Sequence, residues 1–226
     1  MPTVKSALDD VLFLWGIEDS AVAPAAVQTQ AVVCLNKALQ VLWAGARAVD
    51  YFARETLTVS FFAGTSAITL GTTIQSILGP VRLADGTPLR RISTRSQFDD
   101  FGSLFLGDES VPTAEEPFAF FEETLRETSG AADLAKVRLH ILPALSAGSA
   151  DLLLDVATEA PRYAWADYTA GSTLLPISHQ YAESLLYPVM RHEAMQSHYF
   201  FKAATRGPQI KEDYARAVKL LEAVTP

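Results

Sequence analysis

Cysteine is almost missing from this chain: Cys34 is the only one in 226 residues. No disulfide can close within the chain, so its stability cannot rest on oxidative staples. Charge is scarce as well. Asp, Glu, Lys and Arg make up 19% of the residues, below the roughly one quarter usual for globular domains. Hydrophobic residues reach 49%, enough for a substantial core and for apolar contact surface between subunits. Basic residues are outnumbered, and the net charge of -8 argues against a tight grip on nucleic acid, which needs clustered Lys and Arg. It leaves room for a surface past which DNA slides without sticking. No run approaches the ~18 apolar residues of a membrane span. The opening MPTVKSALDD has no basic stretch followed by an apolar one, so no secretory leader is expected. The expectation is a soluble protein made in a cytoplasm.

The familiar signatures of chemistry are also wanting. No Walker loop and no Gly-x-Gly-x-x-Gly occurs, which leaves no phosphate cradle. Gly64 and Gly148 lie beside Ser66 and Ser149, but neither pair makes the Gly-x-Ser-x-Gly of a nucleophile elbow, and both read as turns. His192-Glu193 suggests a zinc-protease helix, yet the position four residues after His192 is Gln196, and His198 falls on another face. The acidic stretch Leu106 to Pro117 lacks the Asp/Asn alternation and central glycine of a calcium loop and reads as an exposed loop. No cofactor and no metal is expected. Cys34 is read as a small core residue, because a reactive thiol wants a basic or helix-N-terminal setting.

What the chain does have is a change of period. Ser6 with Asp9 three residues on resembles a capping box, and Leu8, Val11, Leu12 and Trp15 follow at helical spacing until Gly16. Pro24 opens a second helix whose face is Val27, Ala31, Leu35, Leu39 and Leu42. After Arg54 the period drops to two, with Leu57, Val59 and Phe61 alternating with Thr56, Thr58 and Ser60. Further strands are expected at Ala67 to Leu70, Ile77 to Leu83, Thr87 to Ile92 after an Asp85-Gly86 turn, Pro117 to Leu125, Lys136 to Ile141 and Asp151 to Ala157. A short helix capped by Thr94 should run through Phe101, and Ser129-Gly130 should be a turn. Lys136, Arg138 and His140 are assigned to a wet face, with Asp151 and Asp155 on a neighbouring strand as possible partners of His140. Arg82, Arg90, Arg91 and Arg95 form a basic cluster read as a solvated hairpin or as carboxylate-paired, rather than as a phosphate grip.

From Pro176 the chain is helical again. Tyr181, Leu185 and Val189 recur on one face, and Pro188 should kink the helix. Pro208 is expected to open a last helix with Ile210, Tyr214, Ala217, Leu220 and Leu221 inward. The reading is an α+β protein in two parts. Residues 1–50 and 174–226 form a helical bundle, and residues 51–173 form a central antiparallel β-rich insertion with strands in hairpin order.

The order of these elements carries a resemblance. The LNKALQ helix at Leu35, the TVSFFAG and AITL strands, the SQFDDF helix and the late LPISHQYAESLLYPVMRHEAM segment resemble the head-to-tail connector adaptors of tailed bacteriophages, including the tail tubular protein A type. The resemblance covers most of the chain and rests on no catalytic signature. It implies a virion structural protein of the capsid-tail neck, assembled in the host cytoplasm, without catalytic, cofactor-binding or metal residues. Its partners would be itself, in a ring usually of twelve copies, the portal above, and a tail, stopper or nozzle protein below. DNA would pass through the channel without sequence-specific binding, and no membrane is involved. The segment from Gly207 to Pro226, or the helix before it, is the candidate portal contact. Alternatives are a tail-completion or baseplate protein, and a small-molecule-binding or hydrolytic α+β domain using His140 or His192.

Overall fold

A computed structural model of the chain describes residues 1–18, 23–45, 48, 52–71, 73–97, 113–114, 117–127, 134–197 and 203–222. It is a mixed α+β structure with six helices among those residues, and it divides into two compact units, Met1–Ala53 with Ala160–Pro226 and Arg54–Glu159.

The first unit holds α1 (Val4–Leu14), α2 (Ala25–Ala44), α3 (Trp165–Ala170), α4 (His179–Tyr181), α5 (Tyr187–Met195) and α6 (Ala203–Glu222). One apolar core takes side chains from both ends of the chain: Leu8 and Val11, Leu35 and Leu39, Leu186 and Val189, Ile210 and Leu221. Each fully buried leucine is worth about 1.5–3 kcal/mol over leaving it in water. Polar ties cross the same core. The Trp15 indole donates to the Ala194 carbonyl at 3.1 Å. The Asn36 amide takes both the Tyr163 N–H and its carbonyl at 2.9 Å. Backbone bonds from Val4 to the Thr173 carbonyl and from Leu175 to the Pro2 carbonyl, each 2.9 Å, fasten the first residues. Gly45, the cap residue after α2, lies so near α6 that an added Cβ would sit 3.0 Å from Leu221 Cβ.

Several local expectations shift. The cap of α1 is Thr3, and Ser6 is its reciprocal partner, which sets the helix three residues earlier. Ser178, not Pro176, begins the late helix, accepting from the Tyr181 N–H. Between α4 and α5 runs a π-helical turn, Ala182–Leu186, in which the Tyr187 N–H reaches the Ala182 carbonyl. It sits directly ahead of Pro188, where a plain α-helix would leave the Ser184 carbonyl without a donor. Helix α6 starts at Ala203 and carries Gly207 and Pro208 inside it. Of its expected inner face Ile210, Ala217 and Leu221 are buried, while Leu220 is 45% exposed.

The second unit holds β1 (Arg54–Phe62), β2 (Ala67–Thr69), β3 (Ile74–Ile77), β4 (Arg82–Leu83), β5 (Arg90–Ile92), β6 (Thr113–Ala114), β7 (Ala119–Glu127), β8 (Leu134–Leu142), β9 (Ala144–Leu145) and β10 (Ser149–Thr158). In one sheet β10 lies between β1 and the pair β3 and β4; a second runs β2-β8-β7-β5; β6 and β9 make a small third. Phe61, Leu152 and Leu154 of the first sheet share a core with Phe120, Val137, Leu139 and Ile141 of the second. The expected antiparallel, hairpin-ordered sheet needs correction. β5 and β7 are parallel, as are β6 and β9, and among the described strands only β7 and β8 pair with a sequence neighbour. The alternation marks a strand, but the partner is chosen by distant hydrogen bonding. The expected strand Ile77 to Leu83 is two strands, because Gly79-Pro80 intervenes and proline cannot donate to a ladder. The Asp85-Gly86 turn is present, with Gly86 at φ 93 and the Asp85 carboxylate accepting from the Thr87 N–H at 2.8 Å.

Candidate functional site

The candidates from the sequence that fall on described residues have definite settings. Cys34 is buried on α2, and burial together with the negative charge of Glu193 pushes its thiol up to about 12. At neutral pH it is a protonated, apolar side chain.

His192 lies on α5 with its ring stacked on Tyr214 of α6, centroids 3.9 Å apart and planes within 12°. Its Nδ1 is buried and has no hydrogen-bond partner among the described residues. Gln196, the cap residue after α5, occupies the position a second metal ligand would need. His198 lies outside the described residues. Among the described residues no group of three or more His, Cys, Asp or Glu is placed to hold a metal. The stacking ties α5 to α6 and offers no general base an acceptor route to a nucleophile.

His140 corrects the wet-face assignment. It is only 7% exposed, and its partner is Glu123 on β7, with Nε2 to Oε2 at 2.8 Å. Asp155 instead binds Arg54 and the Thr56 hydroxyl, and Asp151 the Ser60 hydroxyl, all on the other sheet. Burial outweighs the Glu123 hydrogen bond and holds the imidazole below its usual range. The sequence did not single out Glu123, because a turn at Ser129-Gly130 would set it opposite Lys136, two residues from the observed register. The pairing of β7 with β8 sets Phe121 opposite His140 and Glu123 opposite Arg138, so Glu123 and His140 are diagonal neighbours on one face.

The basic cluster is largely matched by carboxylates of its own chain. Arg91 bonds Glu122 at 2.6 Å, and Arg95 lies 3.8 Å from Glu123. Glu122 also accepts the Ile77 N–H at 3.1 Å. Strand β5 brings Arg91 beside β7 by its parallel pairing, which the sequence does not signal. The acidic stretch from 106 to 117 lies mostly outside the described residues, except that Thr113 and Ala114 pair with β9 and Pro117 is buried.

In the helical unit an open cavity of about 410 Å³ is lined by Lys5, Asp9, Leu12, Phe13, Ile17, Glu18 and Tyr168. The Tyr168 hydroxyl donates to Asp9 at 2.7 Å. This rim holds one ammonium and two carboxylates around apolar walls, with no serine, cysteine or histidine among them. The pieces of acyl transfer are therefore not assembled there. No helix among the described residues is long and apolar enough to cross a membrane. The chain matches no protein-family model and no curated protein.

Proposed function

We propose that the chain is a structural protein of a tailed-phage virion, a head-to-tail adaptor whose copies form a ring under the portal. In this reading the helices from the two ends make a bundle that forms the ring body, and the β-rich segment is an insertion within it. The ring extends the DNA channel and presents a surface to a tail, stopper or nozzle protein. The observation that carries the reading is the division of the chain. Segments as distant as α1 and α6 share one apolar core, while Arg54–Glu159 builds another. This matches the order of elements on which the resemblance rests.

Two further observations support it. The histidines expected to serve a hydrolytic site are engaged otherwise, His192 by stacking on Tyr214 and His140 by Glu123. The net charge of -8 suits a channel through which phosphates must pass without binding. A closing ring also needs complementary head-to-tail surfaces, and the segment from Gly207 to Pro226, or the helix before it, is the candidate for portal contact. The test is to mix the purified protein with portal rings and image the product by electron microscopy. Portals carrying an added ring of density are the expected result. Bare portals beside unassembled protein would refute the assignment.

A further inference from the structure

Among the described residues strand β1 has an open edge. Its nine residues pair with β10 without a register shift, from Arg54 opposite Ala157 to Phe62 opposite Ser149. The Ala63 N–H donates to the Gly148 carbonyl at 3.0 Å, continuing that register. In an antiparallel ladder alternate residues exchange both backbone bonds with the partner. Ala63, Phe61, Val59 and Leu57 therefore point their backbone groups at β10, and Ser60, Thr58, Thr56 and Arg54 point theirs away. Apart from the Phe62 carbonyl, which accepts from the Thr65 N–H at 2.9 Å, the β1 backbone has no bond outside the β10 ladder among the described residues. Thr56 and Thr58 are exposed, and Phe62 is 61% exposed. Natural edges of this length are usually blunted by lysine, proline or a bulge. Arg54-Glu-Thr-Leu-Thr-Val-Ser-Phe-Phe62 contains neither residue, and its register is unbroken.

We propose that the free chain dimerises by antiparallel pairing of β1 with the β1 of a second copy, about a two-fold axis at Thr58. The strand is self-complementary in that register. Thr58 meets Thr58, and Thr56 meets Ser60, so the outward backbone groups of these residues become bonded pairs. The central side chains agree face by face, while at the two ends Glu55 meets Phe61 and Arg54 meets Phe62. Thr–Thr and Thr–Ser pairs lie on the polar side, and Leu57 meets Val59 on the side that continues the core, combinations that favour strand pairing. A shift by one residue would set Thr opposite Leu and break both faces. The pairing is two-fold and does not close a ring, so it stands apart from the adaptor reading.

Light scattering coupled to gel filtration tests it. The wild type should give twice the 24.5 kDa chain mass at high concentration, and Thr58→Pro should give the single mass. That proline removes only an outward N–H, so the β10 ladder is kept. Thr58→Lys, which keeps the N–H and adds an edge charge, should weaken the dimer in the same direction. Register is read by cross-linking. Two Thr58→Cys chains would bring Cα atoms about 5.5 Å apart, within disulfide reach, and should oxidise to a covalent dimer. Thr56→Cys chains should not. A wild type that stays at 24.5 kDa, a dimer untouched by Thr58→Pro, or equal cross-linking at both positions overturns the pairing. A many-copy particle whose size ignores Thr58→Pro also overturns it, and leaves the ring standing.

Discussion

In the helical unit Leu8 and Leu221 belong to one core, and the polar contacts that cross it are buried, as between Trp15 and Ala194, or half-buried, as where Arg191 grips Asp10 with two bonds of 2.8 and 2.9 Å. In the β-rich unit the core is as apolar, but ion pairs such as Arg54–Asp155 and Arg91–Glu122 sit with their guanidinium groups in solvent. The difference follows from geometry. A helix satisfies its own backbone and needs partners only for its apolar stripe. A strand must also find a neighbour for its backbone, and cross-strand side chains then fix which neighbour and in what register.

The sharpest way to break this comparison is to hollow each core. Leu35→Ala in α2 and Leu154→Ala in β10 remove fully buried side chains and should each cost about 2–5 kcal/mol in urea unfolding. Hydrogen exchange should show the Leu35→Ala loss first in the amides of α1, α2 and α5. An equal loss throughout β1 to β10 would erase the distinction between the cores. A smaller effect separates the polar ties. Arg191→Met breaks a bidentate, partly covered pair and should cost about 1–3 kcal/mol, whereas Arg91→Met, whose side chain is 53% exposed, should cost under about 1 kcal/mol. Equal values would remove the contrast.

The smallest effect is a pH dependence confined to the β-rich unit. His140 has a native pKa below its ordinary 6.5, so between those two values the unfolded chain binds more protons than the folded one. Its contribution to stability is complete above pH 6.5, declines as the pH falls through that window, and levels off below the native value. His140→Gln should flatten this part of the profile of urea midpoint against pH. An unchanged slope would assign it to other groups.

How much of this was legible in the sequence follows the same division. The α2 stripe Val27, Ala31, Leu35, Leu39 and Leu42 is buried as its period implies, and Gly16 ends α1 at φ 76. The strand positions of β1, β7, β8 and β10 also follow from alternation, within a few residues. The pairing of β1 with β10 across almost the whole unit has no local signal. Neither has the parallel contact that brings Arg91 to Glu122. His140 was misplaced for a related reason: alternation says which face it shares with Lys136 and Arg138, but not what else covers that face.

The π turn at Ala182–Leu186 bears on which changes of length the late helix can absorb. A π turn amounts to one residue more than the α-helix around it requires, and here it lies beside the one backbone position, Pro188, that has no N–H to give. The stripe of α5 is therefore displayed one step later than an unbroken helix from His179 would display it. In terms of tolerance to length change, the segment is a place where the helix holds an extra residue without breaking. An insertion between Tyr187 and Val189 would turn Val189 and Met190 by about 100° relative to the residues before them; a deletion between Ala182 and Leu186 would close the turn and leave both flanks in phase.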